Sequence, residues 1–314
     1  MLIFILKRIV AAIPVLFIVT LIAFSLIYMI PGDAAVVAAG DNATPERIQQ
    51  VREQMGLDRP AIVQYFVWMG DLLRGNLGTS LISGHSNSEM IAAALPVTVS
   101  LALVALTWSL IAGVIIGTFA GLTRGSWIDR TLTALTTFGL AVPTFWIGLI
   151  LVVTFALQLK MFPATGFSPI SEGVGPWLSH LILPALALGT TTAAEIARPT
   201  RAGMIDVLDQ DYIRTATAKG LPRWIVVGKH TTKNAAIPVV TVFGLQAAAL
   251  IGGSVIIEQV FAMPGLGSLA LRSIMERDFP VIQAFVVIVT LFVLLINLLV
   301  DISYAYFNPK VRQS

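Results

Sequence analysis

The sequence predicts an all-α integral membrane protein with about six transmembrane helices. Hydrophobic residues make up 56% of the 314 residues and charged residues only 12%, whereas soluble domains carry about 25% charged residues. Several apolar runs reach the length of about 20 residues that a helix needs to cross a hydrocarbon core of ~30 Å. The mean hydropathy is +0.86. These observations exclude a soluble globular domain.

The N-terminal apolar run is predicted to be a span that stays in the protein. A cleaved signal peptide would have a shorter apolar core and a small-residue cleavage site. Here the run follows a short charged start and extends into Tyr28-Met-Ile-Pro-Gly. We therefore assign residues 1–30 to the N-terminus and the first transmembrane helix.

Hydropathy places five further spans along the chain. The six predicted spans are Ile9–Ile30, Val97–Leu122, Thr131–Leu157, His180–Ala197, Ile237–Val260 and Val281–Tyr306. The fourth contains the small and polar sequence TTTAAEIARPT, which favours burial among other helices over contact with lipid. Residues 97–314 thus form a five-helix core that includes a basic loop at 198–236.

The distribution of basic residues predicts the orientation in the membrane. With the N-terminus inside, about two thirds of the 20 Lys and Arg residues fall in the inner segments, as the positive-inside rule requires. We therefore expect both termini, and the loop at 198–236, to be cytoplasmic.

The first outer segment, residues 31–96, is too long to be a simple connector. It has helical apolar spacing, with an N-cap at Thr44 and Glu46 soon after. The following GNLGTSLISGHSNSE is typical of turns and loops. A small folded cap outside the membrane, used for docking or gating, is one interpretation, and a surface decoration is the other.

Catalytic motifs are missing from the sequence. The three histidines, His85, His180 and His230, are separated from one another by predicted spans or by side of the membrane. There is no HExxH, GxSxG or Walker A motif, and there are no cysteines. We expect no catalytic, cofactor or metal site in this chain, and no site for the phosphates of ATP.

Charged residues within the spans are costly and are often functional. Glu195 and Arg198 lie one helical turn apart and can pair at i, i+3, which favours a structural pair over a substrate site. Asp301 lies near the inner end of the sixth span, where an inner-surface cation or the helix end could satisfy it. Glu258, at the outer end of the fifth span, faces either a pathway or water.

Small residues and prolines indicate where helices pack closely or bend. Gly113, Gly117 and Gly121 repeat at four-residue spacing, which favours close helix packing over a moving hinge. Gly252-Gly253 and Pro143 are stronger hinge candidates, since a proline removes a backbone hydrogen bond. The candidates for lining or gating a pathway are Phe138, Pro143, Phe145, Trp146, Gln246, Ser254 and Glu258. For each of them, contact with lipid or with a neighbouring helix is the alternative.

The basic loop carries a short helix that ends at a glycine. Asp211–Lys219 has helical character, Gly220 is a natural C-cap, and Pro222 follows. A second helix is predicted to begin near Arg223. Attraction to anionic lipid headgroups would account for the basic residues alone. Gly220 and the small Ala216 favour instead the close approach of a protein partner.

At these residues the sequence resembles a known family. Tyr212-Ile-Arg-Thr-Ala-Thr-Ala-Lys-Gly-Leu221 is similar to the EAA loop of permease subunits of bacterial binding-protein-dependent ABC transporters. Within that group it resembles the dipeptide/oligopeptide/nickel permease family. The resemblance extends along essentially the whole chain, through LAVPTFWIGLILV, FPATG, HLILPALALG and IEQVFAMPGLG.

The resemblance implies a type I ABC importer permease fold in the bacterial cytoplasmic (inner) membrane. The implied partners are a second homologous permease, two ABC ATPase subunits that hold ATP and Mg, an extracytoplasmic solute-binding protein, membrane lipids and a peptide substrate, with no nucleic acid. The implied ATPase-coupling residues are Tyr212, Arg214, Thr215, Ala216, Lys219, Gly220 and Arg223.

The implied function is ATP-driven import of di- or oligopeptides, with this chain forming half of the pathway. Within the same class, nickel, glutathione or another small solute is the alternative. An ion-coupled secondary carrier or channel would also explain six spans, but it would need buried ion ligands. A membrane-embedded hydrolase would need a nucleophile–base pair that the sequence lacks.

Overall fold

The computed structural model describes residues 2–28, 33–40, 43–54, 56–222, 225 and 232–307. Over these ranges the chain is helical, apart from loops and an isolated antiparallel bridge between Thr79 and Ser86. The helices are α1 (Leu2–Ser25), α2 (Ala34–Ala39), α3 (Pro45–Gln54), α4 (Ala61–Leu73), α5 (Asn87–Leu122), α6 (Trp127–Ala141), α7 (Thr144–Leu151), α8 (Val174–Leu208), α9 (Asp211–Ala218), α10 (Thr232–Val260), α11 (Leu266–Glu276) and α12 (Phe279–Phe307).

Four of the described helices are long and apolar enough to cross a membrane. They are α1 with its 3₁₀ extension to Tyr28, α5, α8 and α12. The bent pair of α6 and α7, which continues as a π-helical stretch over Val152–Gln158, gives a fifth span if it is counted as one. The predicted segment Ile237–Val260 lies in α10. The expected all-α membrane fold is confirmed.

The predicted third span, Thr131–Leu157, is broken at Pro143, one of the hinge candidates. The chain breaks between α6 and α7, whose axes are bent by 103°. Val142 is extended, with φ −87° and ψ 128°, because the ring of the following Pro143 disfavours helical geometry in the residue before it. Pro143 also has no N–H to continue the ladder of α6.

Two other spans are longer than hydropathy indicates. α5 begins at Asn87 rather than near Val97. α8 runs over Val174–Leu208 and therefore exceeds His180–Ala197 at both ends. An apolar window detects only the part of a helix that suits lipid, whereas the backbone hydrogen bonds continue into polar turns.

The described chain divides into two compact units. The first comprises Thr98–Met263 and Ile296–Ser314, and α8 lies at its centre against α6, α7 and α10. α5 also packs on α8 with backbone contact: a Cβ at Gly113 would lie 2.7 Å from the Ala193 carbonyl oxygen, and one at Gly117 would lie 2.5 Å from that of Ala197. This confirms that the glycine repeat serves close helix packing.

The second unit comprises Leu2–Val97 and Pro264–Leu295. One apolar cluster in it consists of Ile91, Ala94, Leu266, Leu269, Val281 and Ala284. Ser80 and the backbone N–H of Leu81 donate hydrogen bonds to the buried Asp278 carboxylate. These bonds tie the loop before α5 to the turn before α12.

The first part of the 31–96 segment is helical, as predicted. The Arg47 N–H donates to Thr44 Oγ1 over 3.3 Å, which confirms the N-cap of α3. Hydrogen bonds from the backbone and from Thr44 hold the pKa of Glu46 below its usual range. Arg52 of α3 pairs with Asp33, the N-cap of α2, and thereby joins the two short helices.

Candidate coupling helix and translocation segment

The short helix predicted over Asp211–Lys219 is present as α9, which ends at Ala218. Ile213 is buried and anchors one face of α9, while Tyr212, Arg214, Thr215 and Lys219 are exposed and Ala216 is half-buried. Arg214 Nη1 lies 3.5 Å from Asp211 Oδ1 on the exposed side. The helix therefore presents a polar and basic face to the surroundings.

Gly220 ends α9 in the way the sequence predicts. Its φ of +76° lies in the left-handed region that favours glycine. The Gly220 N–H donates to the Thr217 carbonyl and the Leu221 N–H to that of Ala216, over 3.0 and 3.3 Å. Gly220 is exposed, and a Cβ there would meet nothing within 4 Å among the described residues. Arg223 and the predicted second helix lie outside the described residues.

A partly buried ion pair joins α6 to α8, the helix that precedes α9. Arg201 of α8 donates to both oxygens of Asp129, with Nε–Oδ1 at 2.6 Å and Nη2–Oδ2 at 2.8 Å. Asp129 is only 4% exposed. It also accepts bonds from the Gly125 N–H at 2.9 Å and the Thr133 hydroxyl at 3.3 Å. Such bidentate arginine–carboxylate pairs fix both partners in direction as well as in distance.

A second, exposed ion pair joins the same two parts of the chain. Arg124 Nη1, in the turn between α5 and α6, lies 3.0 Å from Oδ2 of Asp209. Asp209 is the C-cap of α8. Sequence reasoning missed both pairs, although the Ser126 cap of α6 was available as a local signal that Asp129 lies in a first turn.

The predicted pairing of Glu195 with Arg198 is wrong. Arg198 is exposed and its Nη2 lies 3.5 Å from Thr137 Oγ1 of α6. Glu195 is half-buried, and its Oε2 is buried without a hydrogen-bond partner in the described structure. The described structure has no ion pair between these two side chains, although their one-turn spacing permits one. Asp301 is half-buried in α12.

The aromatic pathway candidates meet at the break between α6 and α7. Phe138, Pro143, Phe145 and Trp146 line one open groove together with Ala141 and Val142. Phe138, Phe145 and Trp146 are all exposed. The irregular backbone at Val142 and Pro143 thus lies next to three large uncovered rings.

The polar candidates on α10 form a separate group. Glu258 is fully buried, and its Oε1 accepts bonds from Thr98 of α5 at 2.7 Å and from Ser254 at 3.2 Å. Gln246 lies about three turns before Glu258 on α10 and is half-buried. Glu258 therefore does not face water, and it joins α5 to α10.

Two family profiles cover the chain. Residues 113–313 match the family described as "Binding-protein-dependent transport system inner membrane component", and residues 1–102 match its N-terminal membrane component. The chain belongs to this family of ABC importer permeases.

Full-length relatives of the permease are similar along the whole chain. A putative peptide transport system permease of Brucella abortus is 42% identical over 98% of each chain. A probable peptide ABC transporter permease of Sinorhizobium fredii is 40% identical over 99% of each. The glutathione transport system permease GsiC of Pectobacterium atrosepticum is 42% identical, again over 99% of each.

Solved transporters show the same fold as the permease. The inward-facing MetNI methionine ABC transporter matches with a TM-score of 0.58 and 18% identity, over 70% of this chain and 96% of that one. An amino acid ABC transporter with histidines matches with a TM-score of 0.51 and 18% identity, over 70% and 94%. The permease fold is therefore that of type I ABC importers, in a multi-pass inner-membrane protein.

Proposed function

We propose that this permease forms half of the translocation pathway of an ATP-driven importer for di- and oligopeptides. A second, homologous permease supplies the other half, two ABC ATPase subunits bind ATP and Mg, and an extracytoplasmic solute-binding protein delivers the peptide. Full-length similarity to permeases named for peptide transport supports the substrate class. The positive-inside distribution supports cytoplasmic termini.

The single observation that carries the coupling role is the form of α9. It is anchored by the buried Ile213 and ends at an exposed Gly220, with Tyr212, Arg214 and Lys219 exposed between them. A short rigid helix of this kind suits a groove on another protein. In this proposal α9 seats in an ATPase subunit, and closure of the ATPases on ATP moves α9.

The break between α6 and α7 supplies the pathway segment. Irregular backbone at membrane depth is tolerated where it is buried in protein or lines a water-filled cavity. Because Phe138, Phe145 and Trp146 are uncovered beside the break, we place this groove on the pathway and assign the rings to a gate. ATP-driven rocking between two packings of the spans then opens and closes it.

The test is purification of the tagged permease from its native membrane, followed by reconstitution and assays of ATP hydrolysis and peptide uptake. We expect the ATPases and the second permease to co-purify, and a peptide-loaded binding protein to raise both rates. Uptake by the lone chain, without an ATPase, would contradict the proposal and favour an ion-coupled carrier.

Glutathione is the second candidate substrate, because GsiC is as similar to this permease as the peptide permeases are. The same assay separates the two. Binding protein loaded with glutathione, rather than with dipeptides or longer peptides, would then give the larger increase in ATP hydrolysis.

A further inference from the structure

Two ion pairs connect the α5–α6 turn to the segment that leads into the coupling helix. Arg124, in the turn itself, pairs with Asp209, the C-cap of α8. Asp129, at the start of α6, pairs with Arg201, about two turns before the end of α8. α9 begins two residues after Asp209, at Asp211. The two bridges therefore join the start of α6 and the turn before it to the C-terminal part of α8, which leads into α9.

Close packing of α5 on α8 adds a third connection, next to Arg201. A Cβ at Gly121, at the end of α5, would lie 2.7 Å from Met204 Cβ and 3.2 Å from the Arg201 carbonyl oxygen. Met204 is completely buried. The last turns of α5, the first turn of α6 and the end of α8 are thus held together by contacts that leave little room for sliding.

We propose that the Asp129–Arg201 pair, assisted by Arg124–Asp209, transmits movement of α9 to α5 and α6. These are positioning residues, and the inference rests on the proposed coupling role of α9. The bidentate bonds set the direction of Arg201, and the Gly125 and Thr133 bonds set that of Asp129. Motion at the end of α8 then reaches the Pro143 break through α6.

An ordinary stabilising role predicts a different outcome from a transmitting one. A buried ion pair is weak evidence for stability, because removing the charges from water offsets much of their attraction. If the pair transmits movement, its loss lowers the amount of peptide carried for each ATP hydrolysed. If it only stabilises, its loss lowers the amount of assembled complex and leaves that ratio unchanged.

The experiment uses the reconstituted complete transporter. Asp129→Asn and the exposed-site variant Asp209→Asn are compared with Asp71→Asn, which removes one partner of the exposed Arg74–Asp71 pair in the other compact unit. We expect the first variant to lower peptide uptake per ATP by about two- to thirtyfold, the range found along coupling networks. Asp209→Asn should lower it less, and Asp71→Asn should not change it.

A double exchange provides the rescue test. Asp129→Arg with Arg201→Asp restores opposite charges, and partial recovery of the ratio relative to either single exchange supports transmission. If Asp129→Asn prevents assembly of the transporter, the ratio of peptide uptake to ATP hydrolysis in Asp209→Asn is the test. An unchanged ratio in Asp209→Asn and in any assembled Asp129→Asn overturns the inference. Lack of ATP-linked uptake by the unsubstituted complex would instead overturn the proposed function.

A different observation concerns α4, which packs against α1. Its contacts reach residues of α1 that lie up to about two turns before Tyr28, the end of the described span. The Tyr65 hydroxyl lies 3.0 Å from the hydroxyl of Thr20. Phe24 contacts the rings of Tyr65 and Trp68, at centroid distances of 5.5 and 5.8 Å. At about 1.5 Å per residue, Thr20 lies about 12 Å below Tyr28 along the span.

The opposite face of α4 is apolar and uncovered. Ile62 is 73% and Phe66 is 64% exposed, and Val67 is exposed beside them. The polar Gln64 is buried and accepts a bond from Tyr28 while donating to the Arg59 carbonyl. The helix therefore directs its amide inward and its aliphatic and aromatic side chains outward.

We infer that α4 lies in the outer leaflet and that this face binds lipid acyl chains. The depth of its contacts with α1 supports lipid as the occupant, because interfacial helices bury their apolar face about 5–10 Å into the headgroup and acyl boundary. This placement differs from the expectation of a cap that lies wholly outside the membrane.

The absence of cysteine from the sequence makes a labelling test direct. Spin labels are placed at Phe66→Cys and Ile62→Cys, with Ile22→Cys on the exposed face of α1 as the lipid reference and Gln49→Cys on α3 as the water reference. The complete transporter is reconstituted in vesicles of phosphatidylethanolamine and phosphatidylglycerol. Collision of the labels with oxygen and with a water-soluble nickel chelate is then measured.

Greater access of oxygen than of the nickel chelate at both α4 sites, as at the Ile22 site, supports the inference. Nickel access equal to that at the Gln49 site would mean that α4 lies in water. Protection from both probes would mean that another protein covers the face. Either of these two results overturns the inference, and neither depends on what the transporter carries.

Discussion

Glu258 of α10 accepts a hydrogen bond from Thr98 of α5 at 2.7 Å, and its side chain is completely buried. Ser254, one turn earlier on α10, shares the same carboxylate oxygen at 3.2 Å. Buried polar groups stabilise a packing only while their hydrogen bonds are made. The contact therefore fixes the position of α5 against α10.

Replacing Thr98 tests that contact. Thr98→Val keeps the shape of the side chain but removes one hydroxyl donor, while Ser254 still donates to Glu258. It should therefore lower stability by about 0.5–1.5 kcal/mol, the usual net contribution of one hydrogen bond. Thr98→Ser keeps the donor and is the matched control. Thermal unfolding in one detergent should show a lower Tm for Val than for Ser, and equal values would contradict the assigned role.

The glycine contacts between α5 and α8 predict a position-specific effect. Gly117→Ala places a Cβ 2.5 Å from the Ala197 carbonyl oxygen, so the two backbones must separate, and overpacking of this kind costs about 1–3 kcal/mol. Gly175→Ala, near the start of α8, meets nothing within 4 Å and should be neutral. Melting temperatures of the two purified variants give the comparison, and a neutral Gly117→Ala would mean that the helices are not in backbone contact.

Bulk at the end of α9 should uncouple the transporter. A Cβ at Gly220 meets nothing within 4 Å among the described residues, and the bulk of Gly220→Trp would obstruct a docked ATPase. ATP hydrolysis should then no longer drive peptide uptake while the permease still inserts. Gly220→Ala carries the same backbone strain, of order 1–3 kcal/mol, without the bulk. Normal coupled uptake by the Trp variant would remove α9 from the docking role.

The aromatic groove predicts water access that changes with turnover. In the cysteine-free chain, Trp146→Cys should react with a water-soluble maleimide, and the rate should change when ATP and loaded binding protein are added. Ile111→Cys, at an exposed position of α5, is the lipid-facing control and should react slowly in both conditions. Equal rates at the two sites would show that the groove faces lipid.

Local sequence signals predicted local structure well. Helix α9, its end at Gly220 and the N-cap of α3 at Thr44 all follow from the preferences of neighbouring residues, so they could be predicted from the sequence alone. The close contacts of Gly113 and Gly117 follow from their four-residue spacing, which places small residues on one helix face.

Pairings between distant residues could not be predicted in the same way. Asp129 and Arg201 meet because α6 and α8 pack side by side, and nothing in either local sequence specifies the other. Glu195 and Arg198 show the opposite error. Their helical spacing permits a pair, but in the structure Arg198 lies next to Thr137 of α6 instead. The sequence indicated a bend at Pro143, but not its angle of 103°.

The most direct test of the account is the ATPase rate of the complex that co-purifies with the tagged permease from its native membrane. We predict that two ABC ATPase subunits and a second permease co-purify, and that peptide-loaded binding protein raises the hydrolysis rate in the unsubstituted complex but not in Gly220→Trp. Purification of the chain alone, with peptide or ion transport that needs no ATPase, would contradict the account.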